Sequence, residues 1–229
     1  MKREIIITSD GSTTIYLPDW NEQYHSKHGA IQEAYHVFIK SGLALQTTSE
    51  ISILEIGFGT GLNCFITFLE NSRANLIASK RASKKINYVG VEAYPVVKEE
   101  VEKLNYVAEL KAEKDQVIFD KMHNFSWDKK HEITPDFSLT KRQQFFTDID
   151  DKSAFDLIYF DAFGAEHQPD LWTEAIFKKM FEALKENGIL VTYCAKGSVR
   201  RAMQSVGFTV ERLAGPPGKR EMLRAIKQA

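Results

Sequence analysis

The chain has 229 residues, 43% of them hydrophobic and 27% charged, and carries a net charge of −1. That length buries a full core in one domain, or in one domain with an appendage, and the near-neutral balance does not by itself announce a nucleic-acid partner. No stretch is long enough to span a bilayer, so no membrane partner is expected, and Cys64 and Cys194 form no CxxC pair, which argues against a disulfide scaffold and a zinc ribbon.

The opening MKREIIITSDG holds only three consecutive isoleucines before polar turn residues. It is no signal peptide, and a cytoplasmic location is the expectation. Residues 4–8 and 12–17 are short apolar or β-branched runs around Asp10-Gly11, the pattern of a hairpin. His25 and His28 are three apart, but no third ligand is suitably spaced, and His36, His123, His131 and His167 form no set either, so no metal is expected. A helix follows from about Ala30 to Ser41, with Gly42 as its stop. Residues 1–48 read as an extension of hairpin and helix, and 49–229 as the main domain.

The run ILEIGFGTGLN at 53–63 carries the most information. A buried strand, Ile51–Ile56, ends in glycines that open a helix, the layout of the first βα turn in a nucleotide-binding α/β sheet. Gly57, Gly59 and Gly61 read G-x-G-x-G, whereas a dinucleotide site wants its third glycine one residue later, where Leu62 stands. Glu55 would repel a phosphate and suits a ligand bearing cations and hydroxyls, such as S-adenosylmethionine with its ammonium, sulfonium and ribose. Residues 71–85, polar and basic without periodicity, read as a mobile loop.

Ile86–Glu92 is the second strand, and Glu92 at its end is placed to accept from both ribose hydroxyls. Residues 96–114 look helical and 116–135 irregular. Phe137–Thr147 is β-like and leads to Asp148, a candidate for the adenine amino group. Phe155–Phe160 is a buried strand ending at Asp161. Trp172–Leu184 and Val199–Val206 read as helices, and Gly188–Tyr193, Phe208–Leu213 and Met222–Ile226 as strands. The aromatics Phe145, Phe146, Phe155, Tyr159 and Phe160 read as core. Strands alternating with helices imply a mainly parallel sheet with its ligand site at the strands' C-terminal ends, where Glu55, Glu92 and Asp161 lie. From Lys196 onward eight basic residues oppose two glutamates, a balance of +6 that leaves −7 to the rest and favours an anionic partner near the C-terminal segment.

Taken together, TSDGSTT at 8–14, YHSKHGA at 24–30, EIGFGTGLN at 55–63, FDAFGAEHQPDLW at 160–172, SVRRAMQSVGF at 198–208 and GPPGKREM at 215–222 resemble one family. It is the methyltransferase half of the MnmC-type tRNA 5-methylaminomethyl-2-thiouridine biosynthesis protein and its stand-alone, MnmD-like relatives. The glycine run is generic to methyltransferases, while the DAF…PDLW and KREM segments are more specific.

The resemblance implies a class I, Rossmann-like methyltransferase fold: a mainly parallel seven-stranded sheet with helices on both faces and the N-terminal hairpin appended. It implies S-adenosylmethionine as donor, with no flavin and no metal, and as acceptor 5-aminomethyl-(2-thio)uridine at the wobble position of a tRNA anticodon loop. The bifunctional members add a flavin-dependent oxidoreductase domain, and this chain is expected to act without it. It is therefore expected to perform the last step alone, on tRNA supplied by a separate enzyme. Where many relatives place proline and lysine after DAF, this chain has Gly164-Ala165-Glu166-His167-Gln168.

On this reading Glu55, Gly57, Gly59, Gly61, Asn63, Glu92, Asp148 and Asp161 bind the cofactor. Asp161 also orients the acceptor amine and takes its proton directly or through water. Lys219 and Arg220, with Arg200 and Arg201, are the phosphate candidates, and Tyr24 and Phe163 the pocket walls. Two alternatives stay open on the residues alone: a small-molecule methyltransferase or aminopropyltransferase on the same scaffold, and a non-catalytic RNA-binding subunit. The basic C-terminal segment opposes a polyamine substrate, and intact acids and glycines oppose the loss of catalysis.

Overall fold

The chain begins with an antiparallel meander of β1 (Glu4–Ile7), β2 (Thr13–Leu17) and β3 (Glu22–Gln23), in a computed structural model that describes residues 2–77 and 84–228. Asp10 makes the expected hairpin. Its Oδ1 accepts from the Thr8 hydroxyl at 2.7 Å and the Ser12 amide at 3.1 Å, while Oδ2 accepts from the Gln32 amide at 3.0 Å. That last bond ties the turn to α1 (Ala30–Ala34), which widens into a π-helical stretch, Tyr35–Lys40, before Gly42.

The main sheet and the helices that connect its strands are β4 (Glu50–Ile56), α2 (Leu62–Ile77), β5 (Lys85–Val91), α3 (Lys98–Val101), α4 (Tyr106–Glu109), α5 (Gln116–Asn124), β6 (Lys130–Thr134), β7 (Phe137–Arg142), β8 (Phe155–Phe160), α6 (Glu174–Ala183), β9 (Leu184–Thr192), α7 (Gly197–Ser205), β10 (Thr209–Ala214) and β11 (Glu221–Ile226). Its strand order is β10-β11-β9-β8-β4-β5-β7-β6. The five strands from β9 to β7 run parallel; β6 and β11 run against them, and β10, antiparallel to β11, runs in their direction again at the edge. Connections leave β4 toward β5 and return to β8 on its other side, which opens a crevice at the C-terminal ends of these two neighbours.

Alternation along the strands divides the core. Ile53, Leu157 and Tyr159 face one layer with Phe65 and Ile66 of α2, whereas Leu54, Ile56, Ile158 and Phe160 face the layer of Phe177 and Met180 from α6. The same alternation puts Glu55 on the α2 side.

The structure departs from the sequence reading in several places. Residues 116–135 are not irregular: Phe119 and Met122, three apart and buried, anchor α5, and the charged run at 130–134 forms the short edge strand β6. This gives the sheet eight strands where seven were expected. Residues 96–114 are separate short turns rather than one helix, interrupted at Asn105 and at Lys111, whose φ is +51°. Of the expected loop at 71–85, residues 71–77 complete α2 and Lys85 opens β5, while 78–83 lie outside the described residues. Phe145 is not core but 55% exposed. Among the described residues no helix is long and apolar enough to cross a membrane.

Candidate active site

The chain leaves β4 through Gly57 and Gly59, whose φ angles are +90° and +48°. A side chain is excluded at Gly57 twice over, because a Cβ there would lie 2.6 Å from the Asp161 carbonyl oxygen. This approach joins the ends of β4 and β8, with the Asp161 amide donating to the Ile56 carbonyl at 2.9 Å. Across the turn, Glu92 follows β5. Its Oε2 accepts from the Gly59 amide at 3.1 Å and its Oε1 from the Tyr94 amide at 2.9 Å, so the carboxylate is fixed at the edge of the turn.

Behind the turn, Asn63 on the first turn of α2 spends its amide on two acids. Its Nδ2 donates to Glu55 Oε1 at 2.9 Å and to Asp161 Oδ2 at 2.8 Å. Glu55 is fully buried, and burial holds its carboxyl well above the ordinary range despite the bond from Asn63. Its Oε2, the Tyr88 hydroxyl and Asn63 Oδ1 are buried with no partner. Burial also pushes Asp161 up to about 7, reinforced by the charge of Glu33 and opposed by Asn63 and Lys219.

Asp161 and Glu92 border a cavity of about 950 Å³. Gly57, Gly59, Asn63, Glu92 and Asp161 line it, as do Tyr24 and Phe163, whose rings stand edge to face with centroids 4.9 Å apart. Burial raises the Tyr24 hydroxyl to about 12, so it remains a proton donor at neutral pH. Tyr94 and Phe145, 64% and 55% exposed, form an aromatic rim with centroids 6.1 Å apart. Arg3 clasps that rim, donating to the Tyr94 carbonyl at 3.1 Å and to Glu100 at 3.0 Å.

Several expected site residues fall elsewhere. Glu55 does not reach the cavity, because strand alternation turns it beneath Asn63. Gly61 also lies off it: a Cβ there would come 3.1 Å from His123 Nε2, so this glycine makes room for packing. Asp148 is exposed and away from the lining, which its neighbours Phe146 and Thr147 supply. Lys219 turns inward. Its ammonium pairs with the Glu33 carboxylate and lies 3.8 Å from the Tyr193 ring centroid, a position already neutralised against a phosphate.

The +6 segment is likewise partly compensated, with Lys196 on Glu166 at 2.7 Å and Arg224 on Glu211 at 2.6 Å. Among the described residues, Arg200, Arg201 and Arg220 pair with no carboxylate, and none lines the cavity. Sequence patterns do not single out Glu33, Tyr94, Phe145 or Tyr193 as site residues. Tyr94 stands two residues past Glu92 and is within reach of a proximity argument; Glu33 carries no signal, being 128 positions from Asp161. His25 is taken up by the Thr14 hydroxyl at 3.0 Å, and among the described residues no group of three or more His, Cys, Asp or Glu could hold a metal.

Residues 103–228 match the family model of S-adenosyl-L-methionine-dependent methyltransferases. Over 96% of its length the chain is 30% identical to the tRNA 5-methylaminomethyl-2-thiouridine biosynthesis bifunctional protein MnmC of Burkholderia mallei, and equally to that of Burkholderia pseudomallei. It spans about a third, 34%, of the length of these relatives. The crystal structure of MNMC2 from Aquifex aeolicus matches 100% of this chain and 71% of its own, with a TM-score of 0.80 at 24% identity. Spermidine synthase from Thermotoga maritima matches 97% of this chain and 72% of its own, with a TM-score of 0.52 at 15% identity. Both likenesses are of fold, and that fold is the Rossmann-like methyltransferase fold expected from the sequence.

Proposed function

Because the chain belongs to the S-adenosyl-L-methionine-dependent methyltransferase family and is related to the MnmC proteins, we propose that it methylates the aminomethyl nitrogen of 5-aminomethyl-(2-thio)uridine at the tRNA wobble position. The observation that carries this reading is the Asp161 carboxylate, held by Asn63 at 2.8 Å in a cavity walled by Tyr24 and Phe163.

The residues fit the cofactor. Gly57 and Gly59 leave bare backbone at the cavity, and Glu92, fixed by two main-chain amides, keeps lone pairs for ribose hydroxyls. When bound, S-adenosylmethionine supplies a methyl group that its sulfonium has already activated. The chain's task is then alignment and proton handling. Asp161 accepts a hydrogen bond from the acceptor amine and aims its lone pair at the methyl carbon. With the cofactor held there, an N–C bond would form as the C–S bond broke, the bonding pair would stay on sulfur, and the proton lost by nitrogen would pass to Asp161 or to water. A carboxyl near 7 exchanges protons close to neutral pH, which suits that role better than an ordinary aspartate.

Arg200, Arg201 and Arg220 are the phosphate contacts, and Tyr24 and Phe163 wall the seat of the modified base. The deciding experiment incubates the protein with S-adenosylmethionine and tRNA bearing 5-aminomethyl-2-thiouridine, followed by nucleoside mass analysis. Gain of one methyl group on that nucleoside supports the reading, and an unchanged nucleoside with the cofactor demonstrably bound overturns it.

A further inference from the structure

Glu33 lies on α1, outside the catalytic sheet, yet is only 7% exposed. Its Oε2 accepts from the Ser26 amide at 2.8 Å, and its Oε1 holds the ammonium of Lys219 from the loop between β10 and β11. Lys219 in turn rests on the Tyr193 ring, 3.8 Å from its centroid, and the Tyr193 hydroxyl donates to the carbonyl of Ala162, next to Asp161, at 2.8 Å. The N-terminal helix and the C-terminal loop thus meet as an ion pair in the wall of the cavity, beside the end of β8. A pair this enclosed adds little to stability compared with an apolar filling, so its charges matter chiefly for what they act upon.

Five groups bear on Asp161, Asn63 on α2 by a hydrogen bond and the others through charge: Glu55 on β4 and, around the same cavity as Asp161, Glu33 on α1, Lys219 on the C-terminal loop and Tyr193 just after β9. Asn63 is neutral. Burial raises the Glu55 carboxyl and the Tyr193 hydroxyl well above their ordinary ranges, so both favour their neutral forms. Glu33 and Lys219 form the ion pair, and they act on Asp161 in opposite directions.

We propose that Glu33 and Lys219 are positioning residues of the methyl-transfer site: their ion pair, seated on the Tyr193 ring, sets the charge that Asp161 carries when it meets the acceptor amine. This rests on the function proposed above. The loop that reads as a phosphate contact in the sequence is, through Lys219, part of the active-site wall.

The test compares pH profiles of single-turnover methyl transfer for the parent, Glu33→Gln, Lys219→Met, the double variant and Lys219→Arg, all at saturating cofactor. In parallel, the Asp161 carboxyl carbon is titrated by NMR in tRNA-free protein. Glu33→Gln keeps an acceptor for Ser26 and removes a negative charge, so the titration of Asp161 should move down by roughly one pH unit. Lys219→Met should move it up by a similar amount, the double variant should return toward the parent, and Lys219→Arg should match the parent. Shifts of the two single variants in the same direction, or no shift in either, overturn the proposal. If a single variant does not fold, the double variant and Lys219→Arg decide, since either one displaced by a full unit contradicts it. The NMR titration separates the two readings: it answers for the ion pair even if the parent methylates no tRNA, a result that would defeat the proposed function alone.

Discussion

Asn63 holds Asp161 from the first turn of the helix that the glycine turn launches, at 2.8 Å, so the residue that opens α2 fixes the carboxylate that ends β8. The same amide serves Glu55, and both of its hydrogens are then used. Asn63→Ala should orphan both acids, at about 1–3 kcal/mol of stability, and let the Asp161 carboxyl rise above its present value near 7. Turnover at neutral pH should fall, while the dissociation constant for S-adenosylmethionine moves little. Calorimetry and single-turnover rates on the same preparation check this, and a large loss of cofactor affinity at full turnover would reverse the assignment.

Asp161→Asn keeps the shape and removes the charge, so turnover should drop by about 10²-fold or more with tRNA affinity nearly unchanged. The pH dependence has a definite sign. The carboxyl of Asp161 loses its proton as pH rises through about 7, so the parental rate should climb across that range. The rise should be missing from the variant's profile, and its persistence there would assign it to another group.

Glu92→Ala removes the acceptor for the Gly59 and Tyr94 amides as well as the proposed ribose ligand. Cofactor affinity should weaken by about 1.5–3 kcal/mol, with Glu92→Gln intermediate because it retains one oxygen. An isothermal titration giving the parental constant for Glu92→Ala would refute this.

Gly57→Ala places a methyl group 2.6 Å from the Asp161 carbonyl oxygen at a φ of +90°. The variant should be destabilised by more than about 1 kcal/mol and melt at a lower temperature, since both the backbone and the β4–β8 junction oppose it. A thermal scan coinciding with the parent's would show that the two strand ends part easily.

Arg200→Ala, Arg201→Ala and Arg220→Ala should each weaken tRNA binding and flatten the log–log salt slope by about 0.9 for every phosphate left without its cation. Lys219→Met should leave that slope unchanged, because its ammonium faces Glu33 inside the cavity. Filter binding across a salt series distinguishes the two classes of residue.

Local sequence determined the strand-turn-helix at 51–63, its open glycines, and the acids that end β5 and β8, because a glycine-rich turn after an apolar run has few other conformations. It also determined the hairpin at Asp10-Gly11, where side-chain bonds within a few residues close the turn. The edge strand β6 is not legible in the sequence because its run KHEIT holds a single apolar residue, Ile133, and so shows no apolar–polar alternation. What only the tertiary structure decided was orientation. Glu55 and Gly61 belong to the motif by spacing, yet pleat and helix geometry turn one under Asn63 and the other toward His123. Lys219 reads as a loop cation, but the sheet brings it onto Glu33 from 186 positions away. A carboxylate's neighbours across such distances are set by how strands are ordered in the sheet, and no spacing along the chain records them.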